Sequence, residues 1–484
     1  MSASIKPGEG NKRWWCIAVS SLLGVAILVR LVLLVAYHPV TYSDSANYRR
    51  SEEQIMTGWQ NYDASRTPGY PVFLALVGSD QQVWLAQMAL GVLNTLIVFY
   101  LAWEISSKLE ARRRILFSIV AGLAHTLNLG QLFFEANLLT ETLATFWLLL
   151  AMAGWVYGLN HPRRRGIGLA LGTGLAACLA VITRPLFVFM PVWLLIFVIF
   201  TWLPDEASRG SDPHGDARRA RWQKKGLGLL KSTVTWSLAL IIPAVLVLGG
   251  WVGFLRLRYG IWGLSVMTGY HLIQNTGTFF EYVPDEYAPL RDTYLRYRDA
   301  QITEHGTQTN AIWDAIPDMQ AASGLGFIGL SQLLTKLSFQ LIVAHPDLYL
   351  RNVLSGWWLF WRVPVYWSAE AFKWVGVRAI LTALILFERA LLVGGNLLFL
   401  AVTLLAIAWK AARQFLQTSI IFWFLAGTVW FTSILQTFLD HGDNARFLVP
   451  LQSVVVICLL WVIQSALESI PSRRARPRSA GSGR

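Results

Sequence analysis

Apolar runs long enough to cross a lipid bilayer recur through most of this chain of 484 residues. A run that enters lipid has to be helical, because the bilayer core has no water to satisfy free backbone groups. Charged residues make up only 14% of the chain, whereas a soluble globular protein carries about a quarter. The sequence therefore predicts an all-α, polytopic bundle of about 10–12 membrane-spanning helices.

Ten runs define the predicted spans. They are 14–37, 82–102, 115–129, 138–158, 167–183, 186–203, 233–255, 390–408, 416–437 and 447–467. The stretch 351–387 is rich in Trp and carries Arg362, Lys373 and Arg378, so it is either interfacial or forms two further short spans. The first run resembles a signal peptide, but its length and the lack of a small-residue cleavage site favour a membrane anchor.

Basic residues orient the predicted bundle. The short segments 103–114 and 159–166 contain Arg112–Arg114 and Arg163–Arg165, and alternate segments are poor in Lys and Arg. The positive-inside rule then places both termini in the cytoplasm of a bacterial inner membrane. The net charge of +13 follows this distribution, so it does not indicate a nucleic-acid site.

This orientation divides the chain into three parts. They are a membrane module, 1–255, with a first outer loop at 38–81; a long outer segment, 256–376; and C-terminal helices with a basic tail, 377–484. Gln332, Lys336 and Gln340 recur every four residues, so 325–344 is predicted to be an amphipathic interfacial helix. The cytoplasmic segment 204–232 is predicted to be a mobile linker.

Several acids and cations lie at the outer edges of the predicted spans. Asp44 could act as a general base at the membrane rim, although its spacing alone favours a helix cap. Glu141 opens the fourth span, where a buried functional acid and a favourable helix-start charge are equally consistent with the sequence. Arg66, Arg184 and Arg446 suit an anionic phosphate, and isolated arginines are also common membrane anchors.

No P-loop, dinucleotide-binding turn or zinc-protease helix is present in the sequence, so a reaction at the outer face would need a donor that reaches it, such as a lipid-linked donor. Tyr48, Tyr70, His271 and His441 are candidate substrate-pocket residues. No metal-ligand spacing links the histidines.

Taken in order, these motifs resemble the GT-C class of membrane glycosyltransferases, in particular the bacterial branch related to protein O-mannosyltransferases and lipid A aminoarabinose transferases. The resemblance rests on motifs that span nearly the whole chain: Asp44 with Tyr48, Arg66–Pro71, Leu139–Glu141, Thr183–Pro185, His345–Leu350 and Arg446–Pro450.

The resemblance implies a polyprenyl-phosphate sugar donor and transfer to an acceptor hydroxyl at the outer face, with inversion at the anomeric carbon. Asp44 would match the family's general base, Glu141 its second acid, and Arg184 and Arg446 the cations that hold the lipid phosphate. Many members carry two acids in the first loop, whereas the neighbours of Asp44 are serines, so the sequence does not support a divalent metal. The acceptor would be a lipid, a glycan or a protein, and the modest outer segment argues against a large folded protein.

Two other functions use similar residues. A transporter or flippase of polyprenyl-linked sugars or other anionic lipids would also need arginines, but it should place ionisable groups at mid-membrane. A surface polysaccharide polymerase or ligase would share the donor class. Apart from Arg30 and the Glu388–Arg389 pair, whose depth the sequence does not fix, the acids and cations gather at one rim, which favours the glycosyltransferase.

Overall fold

The computed structural model of the protein describes residues 9–200, 233–442 and 444–469. Within these ranges the chain is helical and has no β-strand; one isolated bridge joins Val40 to Asn137. The predicted linker 204–232 and most of both terminal segments lie outside the described residues.

Nineteen helices follow one another in the described chain. The first ten are α1 (Glu9–Ala36), α2 (Ser43–Met56), α3 (Gly69–Val77), α4 (Asp80–Ile105), α5 (Ala111–Thr126), α6 (Leu129–Glu135), α7 (Glu141–Asn160), α8 (Ile167–Thr183), α9 (Met190–Phe200) and α10 (Thr233–Tyr259). The others are α11 (Thr268–Thr276), α12 (Ala288–His305), α13 (Ala311–Ser323), α14 (Phe327–Ala344), α15 (Pro346–Phe360), α16 (Arg378–Ala408), α17 (Lys410–Phe415), α18 (Ile420–Leu439) and α19 (Gln452–Ser469). Short 3₁₀ helices precede α9 at Pro185–Phe189 and α19 at Asn444–Leu451.

Eight helices in the described ranges are long and apolar enough to cross a membrane, which confirms a multi-pass helical membrane protein. They are Lys12–Ala36, Asp80–Ile105, Glu141–Asn160, Thr233–Tyr259, Phe327–Ala344, Val375–Ala408, Ile420–Leu439 and Ala445–Glu468. The predicted spans 167–183 and 186–203 form shorter apolar helices over their described residues.

The predicted span 115–129 is broken. Helices α5 and α6 meet at an angle of 53°, and together they would make a ninth crossing. The break has a local and a long-range contribution. Locally, the side chain of Asn128 accepts from the backbone N–H of Gln131 at 2.8 Å and caps a new helix. Glu388 of α16 also accepts from the N–H of Leu129, at 2.8 Å. These bonds satisfy helix-start donors that a continuous helix would not have exposed.

The ambiguous stretch 351–387 contains no separate span. It comprises the end of α15, an irregular connection, and the first turns of α16, which begins at Arg378 and so extends the predicted span 390–408 toward the N-terminus. Helix α14 has the predicted amphipathic pattern: Leu330, Leu334 and Leu337 are buried, whereas Gln332 and Lys336 are exposed. It is also apolar enough to pass as a span by length and composition.

Two hydrophobic clusters organise the described chain. The larger joins α4, α7, α8 and α18 around residues such as Trp155, Phe424 and Leu148. The second is built by α11 to α15 with the end of α10, around Tyr270 and Leu334, and also takes in Tyr62 and Ala64 from the first loop. The predicted outer segment therefore has a core of its own that is tied to the first loop.

Gly69 allows an unusually close helix contact. A Cβ at this position would lie only 2.6 Å from the backbone oxygen of Ile182 and 2.7 Å from the backbone nitrogen of Thr183. Only glycine lets the start of α3 pack so tightly on the end of α8. Arg66 precedes this contact by three residues and Arg184 follows it by one, so the contact holds the two arginines near each other.

Candidate active site

Asp44 lies in the first turn of α2, directly after the loop that follows α1. Its carboxylate does not cap the helix. The Ser45 hydroxyl instead accepts from the backbone N–H of Tyr42 at 2.9 Å, and it donates to the carbonyl of Leu138 at 3.0 Å. The cap interpretation of Asp44, which its spacing favoured, is therefore wrong.

Both carboxylate oxygens of Asp44 bind arginines. Oδ1 accepts from Nη2 of Arg66 at 2.6 Å, and Oδ2 accepts from Nη2 of Arg446 at 2.9 Å. Burial by itself raises the pKa of the Asp44 carboxyl, but the two guanidinium groups outweigh burial and hold its pKa at about 2. Asp44 is therefore ionised at neutral pH, with both oxygens occupied.

Glu141 begins α7, and its side chain is 1% exposed. Its Oε1 accepts from Nη1 of Arg184 at 3.0 Å. The Nε of Arg446 is also 3.0 Å from this oxygen, but its N–H is not aligned with it, so the contact is electrostatic and not a hydrogen bond. Oε2 of Glu141 is buried without a hydrogen-bond partner among the described residues, which is costly unless a ligand or water supplies a donor.

The three arginines are held by different parts of the fold. Arg66 lies in the irregular chain before α3, and its guanidinium is 5.2 Å from the centre of the Tyr48 ring. Arg184 lies between α8 and the following 3₁₀ helix, is almost fully buried, and stacks 4.5 Å from the ring of Phe447. Arg446 comes from the 3₁₀ helix before α19 and contacts both acids.

We name the five residues Asp44, Glu141, Arg66, Arg184 and Arg446 the arginine centre. Its formal charge is +1, since three guanidinium groups face two carboxylates. The first outer loop supplies Asp44 and Arg66, and three further segments supply Glu141, Arg184 and Arg446. Asp44 and Arg446 are 402 residues apart in the chain. The structure thus brings together every predicted catalytic and phosphate-binding residue.

The two predicted pocket tyrosines lie at different depths. Tyr48 is beside Arg66, and burial raises the pKa of its phenol, so the hydroxyl stays protonated at neutral pH. Tyr70 is fully buried and packs edge-on against Tyr48, with ring centres 5.0 Å apart. Its hydroxyl donates to Oε1 of Gln87 at 3.0 Å, which fixes the Tyr70 ring against Tyr48.

Of the two predicted pocket histidines, His271 makes no hydrogen bond or ion pair with the five residues of the arginine centre in the described chain. His271 of α11 is instead 3.0 Å from Asp440, which follows α18, and His441 is the next residue in the chain. Sequence reasoning missed Asp440 as a functional candidate. A signal was present, since an acid and a histidine stand next to each other in the short connection after a predicted span.

Two charged groups in membrane-spanning helices have structural partners: Arg30 lies in the predicted span 14–37, and Glu388 lies in the candidate span Val375–Ala408. Arg30 of α1 donates to Oε1 of Glu135 at 2.6 Å and to Oε2 at 2.8 Å, and both side chains are buried. Glu388 caps α6, as described above. The sequence alone did not identify the partner of Arg30, because Glu135 is 105 residues away.

In the part of the chain that the structure describes, no group of three or more His, Cys, Asp or Glu side chains is arranged to hold a metal ion. The arginine centre has a different chemistry. Guanidinium groups bind phosphate and carboxylate oxygens through paired N–H donors, and they remain charged at every physiological pH.

The chain matches no protein-family model, and no curated protein is significantly similar to it. The resemblance to the GT-C class therefore stays a prediction from the motifs, and the function has to be argued from the site.

Proposed function

We propose that the protein is a GT-C-type glycosyltransferase that moves a sugar from a polyprenyl-phosphate donor to an acceptor hydroxyl. The observation that supports this most strongly is the convergence of Arg66, Arg184 and Arg446 on two carboxylates at one end of an apolar helix bundle. Positive charge in that position suits an anionic headgroup whose hydrocarbon chain remains in lipid.

The charge of the arginine centre favours a particular donor. A sugar joined to polyprenyl phosphate is a phosphodiester with one negative charge, which neutralises a centre of formal charge +1. A diphosphate-linked donor carries at least one more negative charge and would leave the buried site negative, at a cost in desolvation. Oε2 of Glu141, which has no hydrogen-bond partner among the described residues, would accept a hydrogen bond from a hydroxyl of the substrate.

The phosphate and Asp44 compete for the same guanidinium groups. An entering phosphodiester draws Arg66 and Arg446 away from Asp44, which raises the pKa of the released carboxylate toward its ordinary value. Asp44 is then free to accept a proton. The base is therefore available only when a donor is bound, which limits wasteful reaction in its absence.

The reaction balances without a cofactor. The acceptor oxygen forms a bond to the anomeric carbon, the bond from that carbon to the phosphate oxygen breaks, and polyprenyl phosphate leaves. The hydroxyl proton passes to Asp44, and the arginines stabilise the charge that grows on the leaving phosphate. Displacement in a single step inverts the anomeric carbon.

We place this site on the extracytoplasmic face of a bacterial inner membrane, with both termini in the cytoplasm. The support is the distribution of basic residues, since the connections at 103–114 and 159–166 lie at the opposite ends of α4 and α7 from Asp44 and Glu141. The transporter alternative gains no support, because the intramembrane charges of Arg30 and Glu388 are used in structural contacts.

The test has two parts. The first measures binding of polyprenyl phosphate to the purified protein, and the second measures transfer of a labelled sugar from its polyprenyl-phosphate donor to endogenous acceptors in membranes. Arg184→Gln should weaken binding and abolish transfer, because it removes a buried cation from the centre. Arg362→Gln is the matched control, since Arg362 is exposed and outside the centre. Equal binding and transfer by both variants would refute the proposal, whereas binding without any transfer by the wild type would favour a carrier.

A further inference from the structure

A second polar cluster lies where α18 ends and the chain turns back toward Arg446. The imidazole Nδ1 of His271 and Oδ2 of Asp440 are 3.0 Å apart, and Oδ1 of Asp440 accepts from the backbone N–H of Gly442 at 2.7 Å. Since both its oxygens are used, the carboxylate is fixed and orients the imidazole. We name His271, Asp440, Gln274, Asn310 and Trp313 the polar cleft.

The orientation of His271 leaves one ring nitrogen for a ligand. In a neutral imidazole whose Nδ1–H donates to a carboxylate, Nε2 carries the lone pair and acts as an acceptor. Nε2 has no hydrogen-bond partner among the described residues, and the side chain is 35% exposed. Burial raises the pKa of the Asp440 carboxyl, but the contact with His271 and the Gly442 N–H outweigh it, so the net pKa is lowered and the carboxylate is charged.

An aromatic wall and two amides complete the cleft. The Trp313 ring is 6.0 Å from the His271 ring and nearly perpendicular to it, and its Nε1–H donates to Oδ1 of Asn310 at 3.2 Å. Asn310 has a left-handed backbone with φ of 73°, a conformation that Asn adopts more readily than most residues other than glycine. Its N–H donates to Oε1 of Gln274 at 3.2 Å, which helps to hold Asn310 in this position.

Gln274 and His271 are one turn apart on α11, so both side chains face the connection at 440–442. Gly442, in this connection, lies close to both Asp440 and Gln274. A Cβ at Gly442 would be 3.1 Å from Oδ1 of Asp440 and 3.7 Å from Nε2 of Gln274. A larger residue would therefore crowd the polar groups that the cleft presents.

This set of groups matches the chemistry of a sugar ring. Each sugar hydroxyl both donates and accepts, and the cleft offers Nε2 of His271 as an acceptor and the side-chain N–H groups of Asn310 as donors. The C–H face of a sugar is apolar and packs against an aromatic ring such as Trp313. None of the five described residues of the cleft is an arginine or a lysine, so this set is not suited to a second phosphate.

The cleft and the arginine centre share the connection between α18 and α19, which supplies Asp440 to one and Arg446 to the other. Asp440 and Arg446 are six residues apart, so their Cα atoms cannot be separated by more than about 20 Å. We propose that the polar cleft binds a sugar ring of the substrate, either the sugar of the donor or a sugar of the acceptor. This inference rests on the proposed glycosyltransferase function and specifies where a sugar is recognised.

The test uses the full-length protein and two variants, His271→Gln and Asp440→Asn. The control is His305→Gln, which changes an exposed histidine at the end of α12. The ligands are polyprenyl phosphate and its mannose and glucose phosphodiesters, and transfer from these donors to endogenous membrane acceptors is measured in parallel. Unchanged binding of polyprenyl phosphate by a variant shows that it is folded and that the arginine centre works.

We expect each cleft variant to lose about tenfold either in affinity for the sugar phosphodiesters or in the rate of sugar transfer. This is the effect of one or two lost hydrogen bonds. Weaker binding of the sugar phosphodiesters with unchanged binding of polyprenyl phosphate would show that the cleft holds the donor sugar. Unchanged binding of all three ligands with reduced transfer would show that it holds the acceptor.

Two results would overturn the inference while leaving the proposed function intact. One is normal binding and normal transfer in both cleft variants. The other is that both variants lose the same affinity for polyprenyl phosphate as for its sugar phosphodiesters, because the effect on binding would then not depend on the sugar. Failure of the wild-type protein both to bind polyprenyl phosphate and to transfer sugar would instead remove the proposed function, and this inference with it.

Discussion

Replacing Asp44 by Asn tests the arginine centre most directly, because Asn keeps the shape of the side chain and removes its charge. In the wild-type protein the pKa of Asp44 falls from an ordinary value of 3.8 to about 2, with the side chain 24% exposed. That difference corresponds to about 2 kcal/mol of interaction between the carboxylate and its surroundings, chiefly Arg66 and Arg446. Any phosphate that takes these arginines has to offset this interaction.

Asp44→Asn should therefore bind polyprenyl phosphate about 10- to 30-fold more tightly than the wild-type protein. It should at the same time lose sugar transfer, since an amide cannot accept the hydroxyl proton. Without a donor, the Asp44→Asn protein should also be less stable than the wild-type protein, because two guanidinium groups lose their shared carboxylate. Polyprenyl phosphate should therefore raise the melting temperature of the variant more than that of the wild type.

The pH dependence gives an independent check. Since the folded-state pKa of Asp44 is lowered, its contribution to stability is complete above about pH 4 and is lost as the pH falls toward about 2. The melting temperature of the wild-type protein should drop across that window, and Asp44→Asn should lack this part of the drop.

The assay measures the dissociation constant of labelled polyprenyl phosphate for purified protein in detergent, together with transfer in membranes at equal expression. Asp63→Asn is the matched control, because Asp63 lies in the same loop and, among the described residues, its carboxylate accepts only the backbone N–H of Ser65, at 2.8 Å. Binding by Asp44→Asn that is equal to or weaker than wild type would refute the competition between carboxylate and phosphate. Normal transfer would refute the role of Asp44 as base.

Three further changes test other parts of the structure. Arg446→Lys should weaken polyprenyl-phosphate binding at least about tenfold and lower transfer, since one ammonium group cannot contact both carboxylates as a guanidinium does; binding as tight as in Arg362→Lys would contradict this. Gly69→Ala should lose about 1–3 kcal/mol of stability by thermal or denaturant unfolding, because its Cβ would meet backbone atoms of α8; a loss no greater than in Gly24→Ala, where the space is open, would count against the close contact. Arg30→Met should lower the free energy of unfolding by about 3–5 kcal/mol, because it leaves a buried carboxylate unpaired. The folded variant should still bind polyprenyl phosphate normally, and unchanged stability would show that the pair is not structural.

The positions of most membrane helices could be predicted from the sequence, because a backbone in lipid has one main way to satisfy its hydrogen bonds. The prediction failed where a tertiary contact intervened. The span 115–129 is broken because Glu388, more than 250 residues away, accepts from the N–H of Leu129 and stabilises a new helix start. Hydropathy could not show this contact, since it reports only the average polarity of a segment.

In the candidate site too, the sequence identified the residues but not the contacts between them. The sequence identified Asp44, Glu141 and the three arginines by their placement at the ends of apolar runs, where a charge is unusual enough to need a partner. It could not decide between a helix cap and a functional acid for Asp44, because the answer depends on Ser45 taking the cap and on Arg446 approaching from the other end of the chain. It missed Asp440 because the partner, His271, is 169 residues away.

The sequence by itself determined that this chain crosses a membrane repeatedly and which side chains are too polar for their positions, since both follow from the local cost of placing polar groups in lipid. Only the tertiary structure decided which of those side chains meet. Ion pairs and hydrogen bonds act over a few ångströms, and the packing of helices far apart in sequence determines which charges come within that distance.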